Sequence, residues 1–247
     1  EPVHICHNGS EYSPYVYWER VNGKPNKSKI TGATTEFLHK IFQHVSLEYT
    51  EELIPWKRCL LEVEKFGTNK NYEIFTDGSY SEERAKRYYI SSPIYKLHEG
   101  IWYSKKKFSG KFPIQKGTDL NQYKLCGILG NNYDWLSEYG VTAPIDKGAL
   151  NLSNALKKLS NNNCDMFFNS LEPTFGGAAL GQYEIPEDIV AIPFPEQREL
   201  TMHIFISKTS PRGYELYTKI NQAILLLQFR GVADAIYKKY IETGTGL

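Results

Sequence analysis

Pro2 to His7 (PVHICH) alternates apolar and polar positions with a period of two, which predicts a strand stopped by Asn8-Gly9. The following stretch, NGSEYSPYVYW, reads as an aromatic loop holding Tyr12, Tyr15, Tyr17 and Trp18, and VNGKPNKSK as a polar insertion. Thr34 to Val45 then carries Phe37, Leu38, Ile41, Phe42 and Val45 at helical spacing, so an amphipathic helix is expected there. Leu47 to Ile54 reads as the second strand. Pro55 opens another helix, as proline favours at a first turn, with Trp56, Leu60 and Val63 on its apolar stripe.

Tyr72 to Thr76 predicts a third strand, which delivers the chain to DGSYSEERAKRYYISSPIY, residues 77–95. Strands alternating with helices imply βαβ units and a parallel sheet, whose ligands sit beyond the carboxyl ends of the strands. Asp77, Gly78 and Ser79 stand at such an end. Ser81 is placed as an N-cap, with Glu82 and Glu83 in the first turn to complement the helix dipole. Arg84 follows on that short helix, where its guanidinium could take a ligand carboxylate in a bidentate pair or simply pair with Glu82 or Glu83.

A second strand-helix series follows. Strands are expected at Gly100 to Ser104, Lys124 to Leu129, Asp165 to Asn169, Ile189 to Ile192 and Thr201 to Ser207. Helices are expected at Tyr133 to Tyr139, Leu150 to Leu159, Thr174 to Leu180, Gly213 to Phe229 and Val232 to Tyr240. Gly130 lacks the further glycines and lysine of a phosphate loop, so the Gly130-Asn131-Asn132 turn is no nucleotide site, though its free amides could receive an anionic group.

Composition narrows the partners. At 247 residues with 41% hydrophobic, 14% aromatic and 23% charged, the chain is long enough for two lobes. A net charge of +1 with scattered signs advertises no nucleic acid and no anionic membrane, and the Lys105 to Lys107 run reads as a solvated turn. No apolar run reaches the roughly 20 residues of a membrane span. His4 and Cys6 share a strand face, but no second pair of ligands accompanies them, so no metal and no cofactor is expected. The start at Glu-Pro suits a mature protein whose export signal has been removed, or a trimmed chain. Cys6, Cys59, Cys126 and Cys164 form no CxxC motif; their distribution favours Cys126 with Cys164 and Cys6 with Cys59, against four small buried hydrophobes.

The ordered set PYVYW, PWKRCLLEVEK, DGSYSEERAKRYYISSPIY, LCGILGNNYDW, ALKKLSNNNCDMFFNS and INQAILLLQFRGVADAIYKKY resembles the bacterial extracellular solute-binding proteins of family 3, the type 2 periplasmic binding proteins typified by polar amino-acid receptors of ABC transporters. That resemblance implies an α/β, two-lobed Venus-flytrap fold, each lobe a mostly parallel sheet flanked by helices. Lobe 1 would take residues 1–106 and 199–247 and lobe 2 residues 107–198, with crossings near Ser104 to Phe108 and Pro195 to Leu200. It implies a monomeric, periplasmic protein that captures a small carboxylate-bearing ligand between its lobes and hands it to an ABC permease. A membrane sensor is the alternative partner.

Carried over by position, Arg84 falls on the family's carboxylate-binding arginine, with Ser81 standing for a threonine. Ser79 and Asp77 fall where the ligand's amino group is held, Tyr12 and Trp56 where its side chain is sandwiched, and Asn131 and Asn132 where small hydroxyl residues lie beside the carboxylate. The family's aspartate after the DMFFN strand, which pairs with the ligand's ammonium, is replaced by Ser170. Asp77 or Glu172 could compensate; otherwise the ligand lacks a free α-amino group. The same fold hosts a dehydratase, for which Glu11, Asp77 or Glu172 would be the acid or base, but no catalytic signature accompanies them and no enzyme is expected.

Overall fold

The computed structural model describes residues 1–110, 112–196 and 199–244. They divide into two compact units: unit 1 joins Glu1–Lys96 to Thr201–Leu247, and unit 2 is Leu97–Leu200. The second crossing expected from the resemblance, Pro195 to Leu200, includes residues 197 and 198, which lie outside the described residues.

Unit 1 is built on a sheet whose centre is parallel. β1 (Val3–Asn8) lies between β4 (Tyr49–Ile54) and β5 (Ile74–Ser79), parallel to both. β12 (Glu199–Ser207) pairs antiparallel with β5, and β6 (Tyr88–Ile90) antiparallel with β12. The α/β class holds, with antiparallel strands completing a parallel centre. Helix α1 (Ala33–Val45) buries Phe37, Leu38, Ile41 and Phe42, the face that the periodicity selects. It stops at Ser46, which takes a left-handed conformation at φ 54° and returns its amide to Gln43 and Phe42. α7 (Gly213–Phe229) and α8 (Val232–Gly244) bring Ile220, Ile224 and Ile236 to the buried side.

Unit 2 repeats the plan. β10 (Met166–Ser170) and β9 (Ile145–Ala149) flank β8 (Leu125–Ile128) in parallel, while β7 (Tyr95–Ser104) pairs antiparallel with both β10 and β11 (Ile189–Pro193). Trp102, Phe167 and Phe168 are fully buried here, and helix α5 (Leu152–Ser160) covers the sheet with Leu156 and Leu159. Among the described residues, no helix of either unit is long and apolar enough to cross a membrane.

Five local expectations are corrected. Residues 17–31 are no loop and insertion but a hairpin, β2 (Tyr17–Val21) with β3 (Lys24–Thr31), turning at Asn22-Gly23 with both residues at positive φ. Its strands bury little, so no apolar alternation announces them. β9 was hidden for the same reason, since three of its five residues are exposed. β5 runs on through Ser79, and β7 begins at Tyr95, five residues before the expected start. The segment at 134–139 is a 3-10 helix rather than a regular one.

Both cysteine pairs are closed as disulfides, Cys6–Cys59 and Cys126–Cys164, linking a strand to a helix in unit 1 and β8 to the segment before β10 in unit 2. They close loops of 53 and 38 residues in sequence. Cross-links of that span restrict the unfolded chain, so replacing Cys126 and Cys164 together by Ala is expected to lower stability by about 2–4 kcal/mol. Urea melts of the oxidised protein and the double variant measure it; equal midpoints would refute it.

Candidate ligand site

In unit 1 the candidate residues gather at the carboxyl end of β5. Ser81 Oγ accepts from the Arg84 amide at 3.2 Å and so caps α4 (Glu82–Arg87), with Glu82 and Glu83 in the first turn. That cap fixes where Arg84 leaves the helix. Arg84 is only 7% exposed, and its Nη1 donates to the Ser79 carbonyl at 2.8 Å and to Ser79 Oγ at 3.2 Å. The guanidinium carbon lies 5.9 Å from the Trp56 ring and 5.8 Å from the Phe205 ring. Flat aromatic faces at that distance attract the cation and hold its plane. Trp56, the first residue of α2 (Trp56–Glu64), is itself set edge-on against Phe75 at 5.5 Å.

Gly78 lets the strand pass close to β12. A Cβ there would come within 2.6 Å of the Phe205 ring, so the residue between Asp77 and Ser79 has room only for hydrogen.

Asp77 sits beside this group with a different duty. It adopts φ 59°, and its Oδ1 accepts from Thr34 Oγ1 at 2.7 Å and from the Tyr95 phenol at 2.6 Å, while Thr76 Oγ1 donates to Oδ2. Thr76 is held in turn by His7 Nδ1 at 2.8 Å, and His7 Nε2 meets Glu51 at 2.9 Å. Burial, and then the Asp77 charge, push the Tyr95 phenol well above its ordinary range, so it stays a donor. Tyr95 stacks on Tyr15 at 4.0 Å with planes 6° apart, and Tyr15 lies 5.8 Å from Tyr12. Tyr12 is therefore joined to Asp77 through a tyrosine stack, whereas Arg84 binds Ser79 and faces the Trp56 ring.

In unit 2 the candidates stand at the ends of two neighbouring parallel strands. After β8, Gly130 turns at φ 88°, the Asn131 amide donates to the Ile128 carbonyl at 3.1 Å, and Asn132 Oδ1 accepts from the Asp134 amide at 3.0 Å. Tyr133, its phenol pushed up mainly by burial, accepts from the Ile128 amide at 2.8 Å and lies against Gly127, where a Cβ would meet its ring at 2.5 Å. Ser170 ends β10 and is 4% exposed; its hydroxyl donates to Glu99 Oε1 at 2.7 Å. Glu172 instead accepts from the His98 amide at 3.1 Å, and its other oxygen lies 2.5 Å from His98 Nδ1.

Glu99 lies just before Gly100, where the sequence places the start of the strand. The signal was nevertheless there: with the strand begun at Tyr95, Leu97, Glu99 and Ile101 fall on one face, and a carboxylate on an apolar phase marks itself.

No protein-family model and no curated protein sequence matches the chain. Solved structures do. The amino-acid ABC transporter substrate-binding protein AbpA of Streptococcus pneumoniae, bound to L-arginine, superposes with a TM-score of 0.74 at 16% identity, over 99% of this chain and 96% of that one. A histidine kinase sensor domain with similarity to periplasmic binding proteins gives 0.74 at 16% identity, over 97% and 96%. The arginine-, lysine-, histidine-binding protein ArtJ of Geobacillus stearothermophilus gives 0.73 at 17% identity, over 97% and 95%. At such identities the likeness shows the fold, which is that of the type 2 periplasmic binding proteins.

Proposed function

We propose that this protein is a solute-binding protein that captures a small carboxylate-bearing compound, an amino acid or a relative of one, and presents it to an ABC permease without transforming it. The observation that carries the reading is Arg84. It is a buried guanidinium at the carboxyl end of a parallel strand, steadied by Ser79 and set against the Trp56 and Phe205 rings. Arginine's planar fork matches a carboxylate bidentately, and aromatic flanks keep water from competing. Ser79 and Trp56 would line the same place, with Asp77 bracing it through Tyr95 and Thr34. In unit 2, Asn131, Asn132 and Ser170 stand at the carboxyl ends of neighbouring parallel strands.

The fold of binding proteins such as AbpA and ArtJ supports the transport side of this reading, and two disulfides suit an exported, periplasmic protein. The sensor domain of the same fold favours a second partner, a membrane kinase in place of the permease.

A thermal-shift series tests the core claim. At 100 times its Kd a ligand adds about 2.7 kcal/mol to the folded state, so L-arginine, L-glutamine or another single amino acid should raise the melting temperature by about 5–10 °C in a protein of this size. A series in which sugars and amines shift the melt and no carboxylate does would overturn it. Unchanged ligand recovered after prolonged incubation, read by mass spectrometry, separates binding from catalysis.

A further inference from the structure

His203 stands where unit 1 lets the chain go and takes it back. The chain leaves the unit after Lys96 and returns at Thr201. The outgoing segment is laced to the return strand β12: the Ser91 amide donates to the Ile204 carbonyl at 3.0 Å, the Ile204 amide to Ser91 Oγ at 3.0 Å, and the Ile94 amide to the Met202 carbonyl at 2.8 Å. The His203 ring reinforces this lacing with a side chain. Its Nδ1 lies 2.7 Å from the Ser91 carbonyl and its Nε2 2.9 Å from Thr201 Oγ1. The register of β12 with β5 shifts between His203 and Phe205, an irregularity of the kind that re-aims a side chain.

The partners fix the proton on the ring. A carbonyl can only accept, so Nδ1 carries the hydrogen, and Nε2 of the neutral ring accepts from the Thr201 hydroxyl. Both nitrogens are then satisfied without charge in a residue only 6% exposed. A second proton turns Nε2 into a donor, obliges the Thr201 hydroxyl to turn its hydrogen away, and leaves a buried cation. No acid answers that cation among the described residues. On the side of Phe205, whose ring is 6.4 Å away, stand the Arg84 guanidinium of α4, 5.8 Å from the same ring, and Tyr88 of β6. β5 places Gly78 opposite His203, and the neighbouring Asp77 is engaged by Thr34, Thr76 and Tyr95. α7 contributes neutral amides, Asn221 to the Ser92 amide and Gln228 to the Pro93 carbonyl. Lys96 and Glu199 are exposed, further along the two segments. Burial accordingly holds the His203 pKa below its ordinary value, against the bond to the Ser91 carbonyl, which raises it.

We propose that His203 is a pH-sensitive clasp of unit 1: neutral, it ties the outgoing Ser91 segment to the return strand, and acidification charges it and opens residues 91–94 and 201–204. The closed clasp favours the neutral ring, whereas an opened, solvated His203 takes its proton near the ordinary value of 6.5. Closure is therefore fully favoured above about pH 6.5 and is lost progressively as the pH falls below it, until the closed form takes the proton as well. The opening reaches the candidate site, because Met202 stands opposite Ser79, which holds Arg84. The clasp itself does not depend on the solute-binding reading.

Hydrogen exchange read by mass spectrometry between about pH 8 and about pH 5, with each rate corrected for the pH dependence of a free amide, tests it. In the wild type, peptides holding residues 91–94 and 201–204 should show an opening constant that is flat above about pH 6.5 and rises below it by up to about tenfold per pH unit. His203→Asn offers an amide to the Ser91 carbonyl but does not titrate, so its opening constant should stay within about twofold over the same range. Should His203→Asn not fold, NMR of the wild-type ring decides: Nδ1 protonated and Nε2 bare at neutral pH, with titration below about pH 6.5, is expected. The opposite tautomer, titration at or above that value, a wild-type opening constant that does not rise in acid, or an equal rise in His203→Asn would each overturn the clasp.

Discussion

Arg84→Ala should reduce affinity for the carboxylate ligand by about 30-fold or more while leaving the fold intact. Loss of a buried, hydrogen-bonded charge partner costs on the order of 2–5 kcal/mol, and each 1.4 kcal/mol is about tenfold in Kd. Arg84 sits on a six-residue helix whose cap, the Ser81 hydroxyl to the Arg84 amide, uses the backbone and not the guanidinium. Truncating the side chain therefore spares that helix start. Arg84→Lys separates charge from geometry: a lysine keeps the positive charge but loses the planar fork and its donation to Ser79, so binding should fall between the two. Titration of the wild type, Arg84→Lys and Arg84→Ala in that order of affinity is the expected result, and an Arg84→Ala protein with wild-type affinity would remove the carboxylate clamp.

Arg212→Ala should be the most destabilising single change outside the aromatic cores, at about 3–5 kcal/mol, because it strands a buried acid. The Glu73 side chain has no solvent exposure, and it accepts from Arg212 Nη2 at 2.7 Å and Nε at 3.1 Å, with the Ser210 hydroxyl as a third donor. The same guanidinium reaches the carbonyls of Glu1 and Pro2, at 2.9 and 3.2 Å. It ties the first residues, the lead into β5 and the start of α7 together. The hydrogen bond to Glu73 raises the Arg212 pKa further, so the guanidinium keeps its charge. Pairing the change with Glu73→Met should recover much of the loss, since a well-packed apolar pair avoids the desolvation cost. Urea midpoints of the single and double variants, without ligand, decide the point; a single variant within 1 kcal/mol of wild type would contradict it.

Legibility in the sequence followed burial. α1 and α7 were readable because Phe37, Leu38 and Ile41, or Ile220 and Ile224, recur on one helical face that the core takes up. The cap at Ser81 was readable because its chemistry is local. The hairpin of residues 17–31 and β9 were not, since strands that bury little carry no alternation, and their pairing is settled by neighbours distant in sequence. In the candidate region, Ser79, Arg84 and Trp56 stand out locally because β5, α4 and α2 present them near their own ends. The local sequence could not show that Asp77 is engaged by Thr34, Thr76 and Tyr95, because two of those donors lie 43 and 18 residues away. Nor could it join Ser170 to Glu99, 71 residues apart and related only by the register of β7 and β10.

The division of the chain also sets an order of events at the ribosome. Unit 2 is one continuous run, Leu97–Leu200, inserted in a unit whose sheet needs residues from both sides of it. β5 waits for β12, and β6 has no partner strand until β12 is made. During synthesis the inserted unit can complete its own sheet while β5 and β6 still lack their antiparallel neighbour β12. The first part of the protein to be translated is thus the last to be finished, and the contacts that complete it span more than a hundred residues, the slow kind of closure. Nascent unit 1 leaves the β5 edge uncovered by β12 for that whole interval, an edge open to pairing with the wrong strand.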